Sequence, residues 1–331
     1  MRVLVTGGTG FLGRSLSIAL YKLGHEVTAT GRTERIGAEL TEQGITFVPS
    51  RLEDTVQMAR LCEGQEIVFH CAALSSLWGS YNDFYESNVT GTRNVIKGCV
   101  ANGVQRLIHV STPSIYFDYT DRYGIVEAAP LPRRAANGYA ETKLLAEQEI
   151  DQAACVSGLP VITIRPRALF GPGDPAIIPR LIQANRQGRL PLIRGGKAVI
   201  DMTYIDNAVD ALLLCMSAPA AALGRKFNIT NDEPVRFIDA LYYLFERLGE
   251  PMQARRIPYP AAYLAAGCME GLARLFGSGK EPLLTRYAVG LLGRSQTLDI
   301  SAAKELLGYR PRVTVKEGID AYAAWYKEQH G

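Results

Sequence analysis

Hydrophobic positions along this 331-residue chain follow two alternating rhythms. Short runs rich in β-branched residues predict strands at Val3 to Thr6, Glu26 to Thr30, Ile45 to Val48, Ile67 to His70, Leu107 to Ser111 and Pro160 to Arg165. Between them, helical spacing of apolar residues predicts helices at Phe11 to Leu23, Thr55 to Leu61, Asn88 to Ala101 and Tyr139 to Ala154. Gly24, Gly64 and Gly103 close several of these segments where a left-handed cap is wanted. Such alternation predicts an α/β fold with a parallel, doubly wound sheet. Beyond Arg165 the texture changes. Loops at Gly171 to Pro175 and Gly195 to Lys197 alternate with helices such as Ile177 to Gln187 and Phe237 to Leu248. We therefore expect one large domain over 1–168, rejoined by about 199–230, and a smaller mixed substrate-binding region over 169–198 and 231–331.

Chemistry enters first at Thr6-Gly7-Gly8-Thr9-Gly10-Phe11-Leu12-Gly13, between the first strand and the first helix. Gly7 permits a tight turn, Gly10 lets the backbone approach a pyrophosphate, and Gly13 lets helix and strand pack closely. The helix N-terminus offers free N–H groups to the anion. In this context the motif reads as a Rossmann-type dinucleotide cradle. The second motif is Tyr139-Ala-Glu-Thr-Lys143, whose phenol and ammonium, four residues apart, share a helix face. A nearby cation favours the phenolate and moves a tyrosine toward usable acid–base strength; an amphipathic helix could also carry such a pair without function. The third is Leu107-Ile-His-Val-Ser-Thr-Pro-Ser114, which puts three hydroxyls at the C-terminal edge of the sheet, where ligands of open α/β sheets bind. A hydroxyl there can hold a substrate carbonyl oxygen while the tyrosine protonates it.

Composition narrows the classes. With 47% apolar residues the chain can bury a large core, and a net charge of +3 with scattered Lys and Arg shows no nucleic-acid footprint. Six dispersed cysteines without C-x-x-C spacing read as reduced, buried thiols and a cytoplasmic location. The chain opens directly on a strand, which leaves no room for an export signal. The four histidines lack metal-ligand spacing, so no metal is expected. The apolar run Tyr259 to Phe276 contains Glu270 and Arg274 and does not read as a transmembrane span. Contact with a membrane surface, a lipid tunnel and ordinary packing all remain open for it.

Taken in order, TGGTGFLG, HVSTPSIY and YAETK resemble the motifs of the extended short-chain dehydrogenases/reductases. His70-Cys-Ala-Ala73, Asn88-Val-Thr-Gly-Thr92, Arg165-Pro166 before FGPGD, and Asp201-Met-Thr-Tyr-Ile-Asp206 extend the similarity through nearly the whole chain. Within the family the 3β-hydroxysteroid dehydrogenase branch is the most similar. WGSYNDFYESNVTGT, VSTPS, RPRALFGPGD and EPLLTRY resemble the bacterial 2-alkyl-3-oxoalkanoate reductases. The resemblance implies that Tyr139 is the general acid in reduction and that Lys143 holds the nicotinamide ribose. Thr112 stands where the family usually has serine, which leaves Ser111 and Ser114 as rivals. Cofactor contacts are implied for Gly7, Gly10, Phe11, Leu12, Gly13, Arg32, Arg51, Leu52, Ala72, Lys143 and Pro166. Arg51 stands where many relatives carry an adenine-binding Asp.

Gly31 replaces the carboxylate that NAD-specific relatives place on the ribose, and Arg32 beside it can pair with a 2′-phosphate. NADP(H) is therefore expected over NAD(H), unless Arg32 is only a solvated turn residue. The implied partner is a small apolar ketone or alcohol, best a long-chain 2-alkyl-3-oxo acid reduced to the 3-hydroxy acid, with Ser114 and Arg167 on the substrate side and a homodimer as the assembly. A 3β-hydroxysteroid or sterol dehydrogenase, a nucleotide-sugar epimerase or dehydratase, and a non-catalytic dinucleotide sensor are the alternatives.

Overall fold

The computed structural model describes residues 1–276 and 281–330. Of the expected substrate-binding region, 277–280 and 331 lie outside the described residues. Seven parallel strands form the main sheet: β1 (Arg2–Thr6), β2 (Glu26–Gly31), β3 (Thr46–Pro49), β4 (Ile67–His70), β5 (Arg106–Val110), then, past a short β6 (Arg122–Ile125), β7 (Val161–Pro166), and β12 (Lys226–Ile229). Their order is β12-β7-β5-β4-β1-β2-β3, so the chain reverses direction of travel between β1 and β4. That reversal opens a crevice at the C-terminal edge, the position at which such sheets bind ligands. The central strands are buried along most of their length, because helices cover both faces: α1 (Phe11–Lys22) on one and α5 (Gly91–Ala101) and α6 (Gly138–Ser157) on the other.

Four further strands, β8 (Leu169–Phe170), β9 (Leu190–Ile193), β10 (Val199–Ile200) and β11 (Thr203–Tyr204), precede β12; β13 (Val235–Arg236), β14 (Ala254–Ile257) and β15 (Gln296–Leu298) follow it. They make a mixed sheet, β13-β10-β15-β6, and two small pairs. The two-residue strands β8, β10, β11 and β13 escape a periodicity search, since two residues carry no rhythm.

Two expected boundaries shift. The helix expected from Asn88 begins upstream at α4 (Tyr81–Tyr85) and runs through a π-turn at Glu86–Thr90 into α5, so Asn88 is buried mid-helix rather than capping one. The apolar run is helix α10 (Tyr259–Leu275), packed on α11 (Arg286–Gly293) through Ala262, Ala266 and Val289. Its buried Glu270 accepts hydrogen bonds from the backbone and guanidinium N–H groups of Arg286. Among the described residues no helix is long and apolar enough to cross a membrane.

Candidate active site

The glycine motif folds as a cradle that side chains would fill. Gly7 has φ +71, and a Cβ there would stand 2.7 Å from the Ala72 backbone. A Cβ on Gly13 would lie 2.2 Å from the Gly7 carbonyl oxygen, so α1 approaches β1 only because neither residue has a side chain. Gly10 caps α1 with no side-chain hydrogen bond, and the first turn carries no acid. Its N–H groups and positive potential are therefore available to a pyrophosphate, and the residues present fit a dinucleotide. Leu12 is buried and Phe11 half-buried behind the loop. Ala72 closes the cradle from the β4 side, where its N–H reaches Thr6 Oγ1 at 3.4 Å. Pro166 ends β7, paired with Ile229 of β12. Leu52 packs against Gly91, and its carbonyl accepts from Asn94 at 2.9 Å. Arg51 is exposed and sits 3.6 Å from Glu53.

Opposite the cradle, the loop after β5 brings the hydroxyls together. Ser111 continues the sheet ladder, its N–H donating to the Ile164 carbonyl at 2.7 Å, while its own buried Oγ has no partner among the described residues. Thr112 turns toward Ser114, donating to its Oγ at 2.9 Å, and its hydroxyl lies beside the Tyr139 phenol. Ser114 in turn lies beside the Tyr287 phenol of α11. Tyr139 stands in the first turn of α6, whose cap Asn137 accepts from the Ala140 N–H at 2.9 Å. Burial pushes the Tyr139 phenol up to about 12, while the neighbouring Thr112 hydroxyl draws it down.

Lys143, one turn along, is fully buried, and burial brings its ammonium down to about 8. Its Nζ donates to the Val110 carbonyl at 2.8 Å and lies 3.1 Å from His109 Nε2. His109 is held neutral by burial and by the Lys143 charge, which makes its ring nitrogen an acceptor for that ammonium. Below them Asn88 ties the segment after β4 to α6, accepting from the Leu74 N–H at 2.8 Å and donating to Thr142 Oγ1 at 3.0 Å. Sequence reasoning missed His109 and Tyr287. His109 lies in an apolar strand, and Tyr287 comes from a helix 148 positions beyond Tyr139 in the chain, which no local pattern connects to the site.

Arg167 follows β7 directly, with its backbone N–H donating to the Ile229 carbonyl at 3.1 Å. Its side chain is buried beside Tyr287 and Asp201.

The sequence profile of the NAD dependent epimerase/dehydratase family matches residues 3–230. The chain is 40% identical to the uncharacterised protein YbjS of Escherichia coli, covering 100% of this chain and 99% of that one. It is also 36% identical to 2-alkyl-3-oxoalkanoate reductase of Stenotrophomonas maltophilia, covering 96% and 97%. Among solved structures, UDP-glucuronic acid 4-epimerase from Bacillus cereus in complex with NAD superposes with a TM-score of 0.80 at 21% identity, over 100% of both chains.

Two expectations are corrected. NADP(H) is the expectation from Gly31 and Arg32, yet six solved neighbours, 21–24% identical, hold NAD. The geometry gives a reason: the space left by Gly31 belongs to Thr9, whose Oγ1 would lie 2.4 Å from a Cβ there, and Arg32 is exposed. Gly31 thus accommodates the cradle loop rather than a 2′-phosphate. An apolar ketone or alcohol was the expected partner, yet five solved neighbours hold UDP-sugars. Leu264, Leu272, Leu275 and Phe276 of the apolar run, and Leu283 beyond it, are exposed. Cradle, hydroxyl cluster, tyrosine–lysine pair and profile agree: the chain belongs to the NAD dependent epimerase/dehydratase family of extended short-chain dehydrogenases, and is a nicotinamide-dependent Rossmann enzyme.

Proposed function

We propose that the site moves a hydride between NAD and a secondary carbinol carbon, with Tyr139 giving or taking the proton on the substrate oxygen. The observation that carries this is the hydroxyl chain Tyr139–Thr112–Ser114 at the sheet edge, with the Lys143 ammonium one helical turn behind the phenol. Gly7, Gly10, Gly13, Ala72 and Lys143 would hold the dinucleotide, which supplies or accepts the hydride when bound. Thr112 donates to or accepts from the same substrate oxygen and orients it toward the phenol. Lys143, charged below about 8, stabilises negative charge developing on Tyr139 in the oxidative direction.

Two readings of the net reaction follow. In the first the hydride returns to the product, as in a nucleotide-sugar epimerase or dehydratase; the UDP-sugars of the solved neighbours support it. In the second the hydride stays on the product, as for the 3-oxo acid named for the Stenotrophomonas maltophilia relative; 36% identity over 96% of this chain supports it. Incubating the protein with NAD and UDP-glucuronic acid, and with NADH and a 3-oxo acid, separates the two. Only the second consumes NADH in proportion to product. Tyr139→Phe should lower kcat by about 10²–10⁴-fold while leaving NAD binding in place. A variant retaining wild-type turnover would remove Tyr139 from the acid role.

A further inference from the structure

Arg167 is a buried cation without a salt bridge among the described residues. Only 7% of the residue is exposed, its Nε has no hydrogen-bond partner, and its guanidinium makes no side-chain hydrogen bond among the described residues. The nearby acid, Asp201, favours the guanidinium's charge from a distance but forms no salt bridge with it: it accepts from the Leu298 N–H at 2.6 Å, and burial raises its carboxyl to about 6. Arg167 does not float free for want of order. Its carbonyl accepts from Thr203 Oγ1 at 2.6 Å and its N–H reaches Thr203 Oγ1 at 3.2 Å and the Ile229 carbonyl at 3.1 Å, so the backbone is pinned on both sides. The next residue, Ala168, is held at φ +45, a left-handed conformation that costs a non-glycine residue free energy.

A desolvated guanidinium without a salt bridge is destabilising, and Arg167 sits at the edge where the hydroxyls meet. β5 and β7 pair in parallel with Val110 opposite Ile164, so the loop after β5, with Thr112, and the loop after β7, with Arg167, leave the sheet side by side. Tyr287 joins them, beside Ser114 and close enough to Arg167 for each to bias the other's charge. We propose that Arg167 is the receptor for a carboxylate that the substrate carries near its reacting carbon. This rests on the Tyr139 acid–base reading and refines its substrate class to a hydroxy or oxo carboxylate. The planar fork of arginine suits two-pronged binding of that group, and the buried setting strengthens it.

The test uses two matched pairs on the NAD-loaded protein: a 3-hydroxy acid with its methyl ester, and UDP-glucuronic acid with UDP-glucose. Calorimetric binding to the Tyr139→Phe protein reads affinity without turnover. In at least one pair the acid should bind roughly 10- to 100-fold tighter than its neutral partner, the range for charge-assisted hydrogen bonds. Arg167→Gln should erase that ratio without weakening the neutral member, and Arg167→Lys should keep part of it. Without substrate, Arg167→Gln should melt no lower than the parent, since it removes an unpaired buried charge. A ratio near one in both pairs overturns the proposal. So does equal weakening of both members, the signature of diphosphate binding or of a structural role, and so does a fall in Tm. Wild-type turnover by Tyr139→Phe would sink the acid–base reading instead, while the acid-to-neutral ratio would still decide Arg167.

Discussion

Lys143 lies between His109 and the Val110 carbonyl and makes no salt bridge among the described residues, so its direct partners are neutral acceptors. Burial lowers its pKa from 10.5 to about 8. Between those values the unfolded chain holds the proton and the folded chain has released it, so stability rises with pH across this window. Lys143→Met should therefore be more stable than the parent at about pH 7, by on the order of 3 kcal/mol, with the gap closing toward pH 10. Urea unfolding at the two pH values measures it; a gap that does not change with pH would mean that Lys143 titrates normally. The same substitution should remove turnover, which marks the residue as one kept for function against stability.

The elements decide how those residues are aimed. α6 runs for 20 residues, and its N-terminal geometry sets Tyr139 because the phenol sits in the first turn, two residues after the cap. Asn137 adopts an extended conformation with its side chain closing the Ala140 N–H, the usual arrangement of a strong N-cap. Asn137→Ala should lower stability by about 1 kcal/mol and lower kcat through the looser first turn, while Asn137→Asp should restore the stability. Thermal melts and steady-state rates on the same preparations check both parts, and an alanine variant with unchanged Tm would show that the cap is redundant. At this scale the sequence was legible where rhythm or capping chemistry was strong, as at β1, α1, β5 and α6. It was silent at β8 and β11, which exist because they pair with each other, Thr203 opposite Leu169 and Tyr204 opposite Phe170.

Across the whole molecule, one buried ion pair ties the sheet to the site helix. Arg165 of β7 donates to both carboxylate oxygens of Glu147 in α6 and also to the Tyr116 hydroxyl, with both charged groups sealed from solvent. Breaking such a pair leaves an uncompensated buried charge. Glu147→Ala should cost about 3–5 kcal/mol, whereas Glu250→Ala, which loses only the partner of the exposed Arg186, should stay within about 1 kcal/mol. Because the Glu147 charge also raises the Lys143 pKa, the Glu147 variant should lose its Lys143 proton at lower pH than the parent. Denaturant titration and the pH profile of kcat/KM test the two consequences; equal stability losses at both positions would show that burial does not govern these pairs.

What the sequence determined by itself was whatever short-range chemistry dictates. The alternation of strand and helix, the glycine cradle after β1, the three hydroxyls after β5 and the one-turn spacing of Tyr139 and Lys143 are all local patterns, and each folds where its spacing required. The resemblance carried the family, which the profile match supports, but Gly31 and Arg32 led to NADP(H), because a missing side chain reads alike whether it makes room for a phosphate or for Thr9. Only the tertiary structure could tell those apart, since the distance from Gly31 to Thr9 depends on how β2 packs against the cradle loop. It alone brought His109 to Lys143 and Tyr287 to Ser114, contacts between segments far apart in the chain. It alone left Arg167 buried without a salt bridge among the described residues, because pairing is a property of the space around a side chain, to which the order of residues along the chain gives no direct access.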